Sequence, residues 1–387
     1  MRPLQDIRVL DLTRLLPGPV ATLVLADLGA SIDKIEDAGG GDYLRYMAPH
    51  AGGESAAFQL LNRGKRSAVI DLKKPDAKAA FLRIVRSYDV LFEQFRPGVL
   101  DRLGLGHDVL RRENPRLIVC ALTGYGQTGE LAQRAGHDLN YLARAGVLGA
   151  QGPVGAAPQV PATQLADVSG GMWCVIAILA ALRDRDRTGQ GAVLDIAMTD
   201  GILGFASTAM ASALAGERVR RGDEPLTGGI AAYQTYLSKD GHPMTLAALE
   251  PKFWMSFCAG AGLEASMDGL VPGPHQAELK AKIAAIFASK TREEWVAFAA
   301  ERDCCLEPAL DPSEIQADPH LRSRGLFFTL DTPRGPVPQL RLPITPRDFA
   351  PAPPPKKGEH TRAILRDAGL TDEDIDALLR SGAAREE

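Results

Sequence analysis

Apolar and polar positions along this chain alternate in a repeated strand and helix rhythm. Ile7-Arg8-Val9-Leu10-Asp11-Leu12 reads as a strand, and 17–28 as a helix opened by Pro17 and closed by Gly29. A strand over 31–35 completes a βαβ unit, followed by strand 67–72, helix 74–87, strand 90–95, a short helix after Pro97 and strand 116–122. Strands separated by helices predict a parallel, doubly wound α/β sheet. A long helix is predicted over 163–183, with Arg183-Asp184-Arg185-Asp186-Arg187-Thr188-Gly189 as its solvated end, and then strand 193–197 and helix 201–214.

Residues 217–225 break the rhythm and read as a linker. Beyond it, 233–238 and 244–249 flank Lys239-Asp240-Gly241, a hairpin with an Asp-Gly turn, and helices near 251–262, 275–288 and 292–303 follow. The chain returns to strand-like 326–330, and Pro351-Ala352-Pro353-Pro354-Pro355 tethers two terminal helices. Two domains are expected: a large α/β domain over 1–216 and a smaller α+β domain over 226–325.

The 387 residues are enough for that division, and 45% hydrophobic with 24% charged residues is ordinary for a globular protein. A formal charge of -4 argues against a general nucleic-acid binder, so no nucleic-acid partner is expected. The five cysteines are odd in number and lack CxxC spacing, which predicts buried thiols and a reducing compartment. The N-terminus enters a strand without a signal-peptide pattern, and the longest apolar run, 172–182, is too short to span a bilayer. A cytoplasmic protein with no membrane partner is the expectation. The seven histidines form no HxxxH or HExxH pattern, so no metal is expected.

Three residues carry the candidate chemistry. His137 follows Gly136 in Gly136-His137-Asp138-Leu139-Asn140-Tyr141, with polar neighbours able to fix its tautomer. Asp167 precedes Gly170-Gly171 and an apolar helix, where it reads equally as an N-cap or as a proton carrier beside free helix-start N–H groups that can hold an enolate. Glu250 closes an apolar strand before Pro251-Lys252-Phe253-Trp254, either as a first-turn residue or as a carboxylate that orients an imidazole. Gly124-Tyr125-Gly126-Gln127-Thr128-Gly129 matches G-x-G-x-x-G but comes too late in the chain for a dinucleotide fingerprint, so it reads as a tight loop lining a cleft. Arg63-Gly64-Lys65-Arg66, Lys73-Lys74 and Arg96-Pro97-Gly98 are solvated surface taken singly, or phosphate-binding points taken together. Trp173, Phe253, Trp254 and Met255 are candidates for an apolar pocket.

An ordered set of motifs carries a resemblance across nearly the whole chain: Val9-Leu10-Asp11-Leu12, Pro17-Gly18-Pro19, Ala26-Asp27-Leu28-Gly29-Ala30, Asn62-Arg63-Gly64-Lys65-Arg66-Ser67, Phe95-Arg96-Pro97-Gly98-Val99 and Asn114-Pro115-Arg116-Leu117-Ile118. The sequence resembles the family III CoA-transferase (CaiB/BaiF) superfamily and, through His137, Asp167 and Glu250, its α-methylacyl-CoA racemase branch. The resemblance implies a Rossmann-like large domain completed by 326–387, an interlocked homodimer, an acyl-CoA substrate and no separate cofactor. It implies His137, supported by Glu250, and Asp167 as acid/base groups on opposite faces of an α-carbon. In the transferases the residue at the Asp167 position instead attacks the thioester to form an anhydride, and that reaction stays as the alternative. Substrate contacts are expected from Ile70, Asp71, Leu72, Lys73, Arg96, Gly136, Asp138, Leu139, Asn140 and Tyr141. Two departures stand out: Asp37 where racemases place an arginine, and a longer 46–56 segment of transferase type.

Overall fold

The computed structural model describes residues 2–51, 53–264, 266–333 and 335–386. It forms two compact units, one made of Met1–Ala145, Ala162–Phe205 and His320–Glu387, the other of Gly146–Pro161 and Ala206–Pro319.

The first unit begins with β1 (Arg8–Asp11), α1 (Pro17–Asp27), β2 (Ser31–Glu36), a small hairpin of β3 (His50–Ala51) and β4 (Glu54–Ser55), α2 (Ala56–Leu61) and β5 (Lys65–Ile70). It continues through α3 (Pro75–Val85), β6 (Val90–Glu93), α4 (Val99–Arg102), α5 (His107–Glu113), β7 (Ile118–Thr123), α6 (Asp138–Arg144), α7 (Leu165–Thr188), β8 (Val193–Ala197) and α8 (Met198–Phe205). The second unit holds α9 (Ser207–Leu214), β9 (Tyr233–Leu237), β10 (Pro243–Ala247), α10 (Pro251–Ala261), α11 (Gln276–Phe287), α12 (Arg292–Ala300) and β11 (Leu306–Pro308). After α13 (Pro319–Ser323), the chain adds to the first unit β12 (Phe327–Thr332), β13 (Gly335–Leu340), α14 (Thr361–Asp367), α15 (Asp372–Arg380) and β14 (Ala384–Arg385).

The large sheet has the order β14-β5-β2-β1-β6-β7-β8. All its pairs are parallel except β14 on β5. From β1 the chain builds outward first through β2 and β5, and then on the other side through β6, β7 and β8. The order therefore reverses between β1 and β6, the place where doubly wound sheets open a crevice at their carboxyl ends. Every residue of β6 and β7 is buried, which is why these strands read as unbroken apolar runs rather than alternating ones.

α7 runs 24 residues, ~36 Å at the usual helical rise. By length and composition it is apolar enough to cross a membrane, which the 172–182 run alone did not suggest. Here it packs on α1, β7 and α8 within the first unit, and Arg185 near its end pairs with Asp89 at 2.8 Å. The glycine pair in α7 permits this close approach: a Cβ on Gly171 would lie 2.5 Å from the Pro17 carbonyl oxygen at the start of α1. The helix predicted over 201–214 is two helices, broken at Ala206, where the chain passes from the first unit to the second.

In the second unit, β11, β10 and β9 form an antiparallel sheet whose β9–β10 connection turns through Asp240-Gly241 as expected. Its core is aromatic: Phe257 stacks on Phe287 with centroids 5.8 Å apart, and Trp295 lies 4.6 Å from Phe287. Trp254 belongs to this core at 1% exposure, with its indole N–H donated to the Ser266 carbonyl at 2.7 Å, so it is no pocket wall. All five cysteines are free thiols.

Candidate active site

A cavity of about 460 Å³ opens in the first unit at the switch point. Its walls come from the carboxyl ends of four neighbouring strands: 12–15 after β1, 35–37 around the end of β2, 94–97 after β6 and 122–125 at the end of β7. His137 and Asp167 both line it. Two groups from separate helix starts thus face one space.

His137 is the residue before the first turn of α6, with extended backbone and its N–H donated to Asn140 Oδ1 at 3.0 Å. Its side chain is exposed within the cleft. Tyr141 lies one turn on and so shares that face of the helix. Its hydroxyl donates to the Gly136 carbonyl at 2.5 Å, and its ring meets Tyr125 edge-on at 5.1 Å. Gly124 allows this packing, since a Cβ there would stand 2.4 Å from the Tyr141 ring.

Asp167 is the third residue of α7, not its cap. Gln164 stands at the cap position and its side chain makes no capping bond. The buried carboxylate of Asp138, at the first position of α6, does that work instead. Its Oδ1 accepts the Ala166 N–H at 2.7 Å and the Asp167 N–H at 3.1 Å. Two of the helix-start donors expected to hold an enolate are therefore already taken. Burial pushes the Asp167 carboxyl up to about 7, and the negative Asp138 beside it pushes in the same direction. Burial and the Asp167 charge likewise push the Tyr141 phenol up to about 12. The site can hold one imidazole and one carboxyl that keeps its proton to neutral pH.

Three guanidinium groups, Arg14, Arg96 and Arg134, also line the cavity. Among the described residues none of the three is ion-paired, and Arg14 lies over the Tyr43 ring at 4.6 Å. The loop carrying Arg14 is strained, with Leu15 at φ 65°, a conformation costing about 1 kcal/mol or more for such a residue. Buried charge braces it. Asp42 Oδ1 accepts the Leu15 N–H at 2.9 Å, Lys34 Nζ pairs with Asp42 at 2.9 Å, and the same Nζ donates to the Thr13 carbonyl at 2.6 Å.

The remaining expected contacts divide. Arg96, Gly136 and Tyr141 line the cavity, and so does Asp37. Asp138 caps α7, and neither it nor Leu139 nor Asn140 lines the cavity. Ile70, Asp71, Leu72 and Lys73 do not line it. Ile70 is 2% exposed in the core, Leu72 packs on the same cluster, and β14 pairs over this end of β5, with the Asp71 N–H bonded to the Ala383 carbonyl at 2.9 Å. The Asp71 carboxylate accepts the Lys73 N–H at 3.2 Å. The basic run 63–66 is likewise spoken for. Arg63 pairs with Asp27 at 2.6 Å, Arg66 with Asp33 at 2.6 Å, and Lys65 is enclosed by Thr22, Asn62 and the Pro19 carbonyl. These side chains hold the fold and are not free for phosphates.

The profile of CoA-transferase family III matches residues 4–361. The chain belongs to that family. It is 38% identical over 383 residues to the α-methylacyl-CoA racemase of Homo sapiens, covering 96% of this chain and 95% of that one. It is 31% identical over 395 residues to the succinyl-CoA:glutarate CoA-transferase of Mus musculus, covering 99% and 90%. A crystal structure of a CAIB/BAIF family protein from Brucella suis superposes with a TM-score of 0.81 at 31% identity, covering 95% of this chain and 99% of that one. This is an enzyme of the family III CoA-transferase and racemase superfamily, with relatives of both reaction types.

In this family III chain Glu250 lies in the second unit, at the cap position before α10, with an exposed side chain that makes no capping bond. Trp173 faces outward on α7 against Phe205. Sequence reading passed over Arg14, Gln94 and Arg134. Each follows a strand or precedes His137, but that position points to a ligand only once the strand order places β1 beside β6.

Proposed function

We propose that this family III enzyme epimerises 2-methyl-branched acyl-CoA thioesters by proton transfer through an enolate. The observation that carries the reading is that His137 and Asp167 line one cavity while Asp167 holds its proton to about 7. The thioester carbonyl acidifies the α-hydrogen. His137 takes that proton, the C–H electron pair moves into the enolate with its charge on the thioester oxygen, and Asp167 delivers its own proton to the opposite face of the carbon. In the reverse direction the two exchange roles. Effective general acids and bases have proton affinities near the working pH, and the Asp167 environment suits that. The unpaired Arg14, Arg96 and Arg134 offset the phosphate charge of CoA. The scheme calls on no nicotinamide, flavin or metal.

Transfer of CoA to a free acid, with Asp167 attacking the thioester, is the second reading, and the succinyl-CoA:glutarate relative favours it. That attack needs an ionised carboxylate, which a proton held to about 7 disfavours. Purified enzyme with one enantiomer of a 2-methylacyl-CoA in deuterated water separates the two. α-Deuterium in recovered ester supports epimerisation. Its absence across several acyl chains, with a hydroxylamine-sensitive adduct on Asp167, replaces that reading with transfer.

The reading includes a homodimer, supported by an apolar face on α7 and α8 where Ile176 is 50% and Phe205 59% exposed. Sedimentation at the mass of a single chain would remove it.

A further inference from the structure

Resting on the epimerase reading, we propose that Asp138 is a positioning residue: its carboxylate fixes the first turn of α7 and sets a negative charge against the neighbouring Asp167 carboxyl. The geometry is specific. Asp138 follows His137 directly in the chain and is 8% exposed. One of its oxygens, Oδ1, receives both the Ala166 and Asp167 N–H groups, at 2.7 Å and 3.1 Å. A single side chain therefore ties the start of α6, which carries the imidazole, to the start of α7, which carries the carboxyl. The bond satisfies two N–H groups that an α-helix leaves without internal partners. It also occupies the partly positive helix start with a full negative charge. A charge held there acts on Asp167 from less than one helical turn away. The other titratable groups lining the same cavity are Tyr141 on α6, Tyr125 after β7, His137, the guanidinium groups Arg14, Arg96 and Arg134, and the carboxylates Glu36, Asp37 and Asp42 at and beyond the end of β2. Burial is the larger cause of the raised Asp167 proton affinity, and the Asp138 charge adds to it.

Two substitutions separate the charge from the bond. Asp138→Asn keeps an oxygen that can accept both N–H groups but removes the charge. Asp138→Glu keeps the charge and misplaces the oxygen. Carbon-13 carboxyl titration of ligand-free enzyme reads the first effect without any assay of the reaction, and the Asp167 signal is assigned by its absence from Asp167→Asn. We expect a wild-type midpoint near 7, lowered by roughly one unit in Asp138→Asn, with the bell-shaped pH profile of kcat/KM moving acidward as well. Asp138→Glu should keep the midpoint and lose roughly tenfold or more in kcat, because the carboxyl is displaced. An Asp138→Asn midpoint within 0.2 unit of wild type, a deliberately tight margin of about one fifth of the expected shift, overturns the proposal. Should that variant not fold, a wild-type Asp167 midpoint in the ordinary carboxylate range overturns it equally. If no α-deuterium exchange occurs in any variant, the epimerase reading fails, while the titration still decides what Asp138 does to Asp167.

Discussion

Asp167→Asn should make the protein more stable at alkaline pH while abolishing its reaction. The wild-type carboxyl is raised from 3.8 to about 7, first by burial and then by Asp138. Below pH 4 both the folded and unfolded chains carry the proton, and its contribution to stability is fully present. Between pH 4 and 7 the unfolded chain ionises while the folded one does not, so unfolding releases a proton and stability falls. Above 7 both are ionised and the loss is complete. A shift of roughly three units at 1.36 kcal/mol each sets a ceiling of about 4 kcal/mol. Asp167 retains some solvent access, so about 2 kcal/mol is the expected size. Asparagine has a similar shape and no charge to desolvate. Urea melts of both proteins at pH 5 and pH 8 measure the difference, and comparison between pH values cancels any constant cost of the substitution. By pH 5 roughly two fifths of that loss has already occurred, so the asparagine variant should gain about 1 kcal/mol on wild type between the two pH values. An equal difference at both would refute the claim that this carboxyl is held in its acid form.

Other outcomes follow from the same structure. Lys34→Met removes one half of a fully buried pair with Asp42 and should cost about 3–5 kcal/mol in chemical melts, since the buried carboxylate loses its paired cation. Gly171→Ala places a methyl 2.5 Å from the Pro17 carbonyl; it should destabilise by about 1–3 kcal/mol and reduce kcat by displacing the start of α7. Arg14→Gln and Arg96→Gln should each raise KM for acyl-CoA several-fold with a smaller change in kcat, and should flatten the dependence of KM on ionic strength.

The parallel sheet was legible because strands covered on both faces become apolar runs, as in 118–123, and helices fill the intervals. The Asp240-Gly241 hairpin was legible because its turn chemistry is local. β14 was not, for two residues at the chain end carry no periodicity and gain strand geometry only by pairing with β5. The basic run 63–66 invited a ligand role because its partners, Asp27 and Asp33, lie far back in the sequence. His137 and Asp167 could be singled out by residue type and neighbours. What binds them into a unit could not, since the bond from Asp138 to the start of α7 joins segments nearly thirty residues apart and leaves no trace in the spacing. Strand order had the same limit: without β1 beside β6, nothing marks Arg14 as facing a ligand.

Exchange with single enantiomers in deuterated water, run on His137→Ala and Asp167→Asn side by side, tests most directly whether two bases serve opposite faces of one carbon. Each variant should exchange the α-hydrogen of only one enantiomer, and the two should differ in which. Loss of exchange from both enantiomers in both variants, or its persistence from both, would contradict that arrangement.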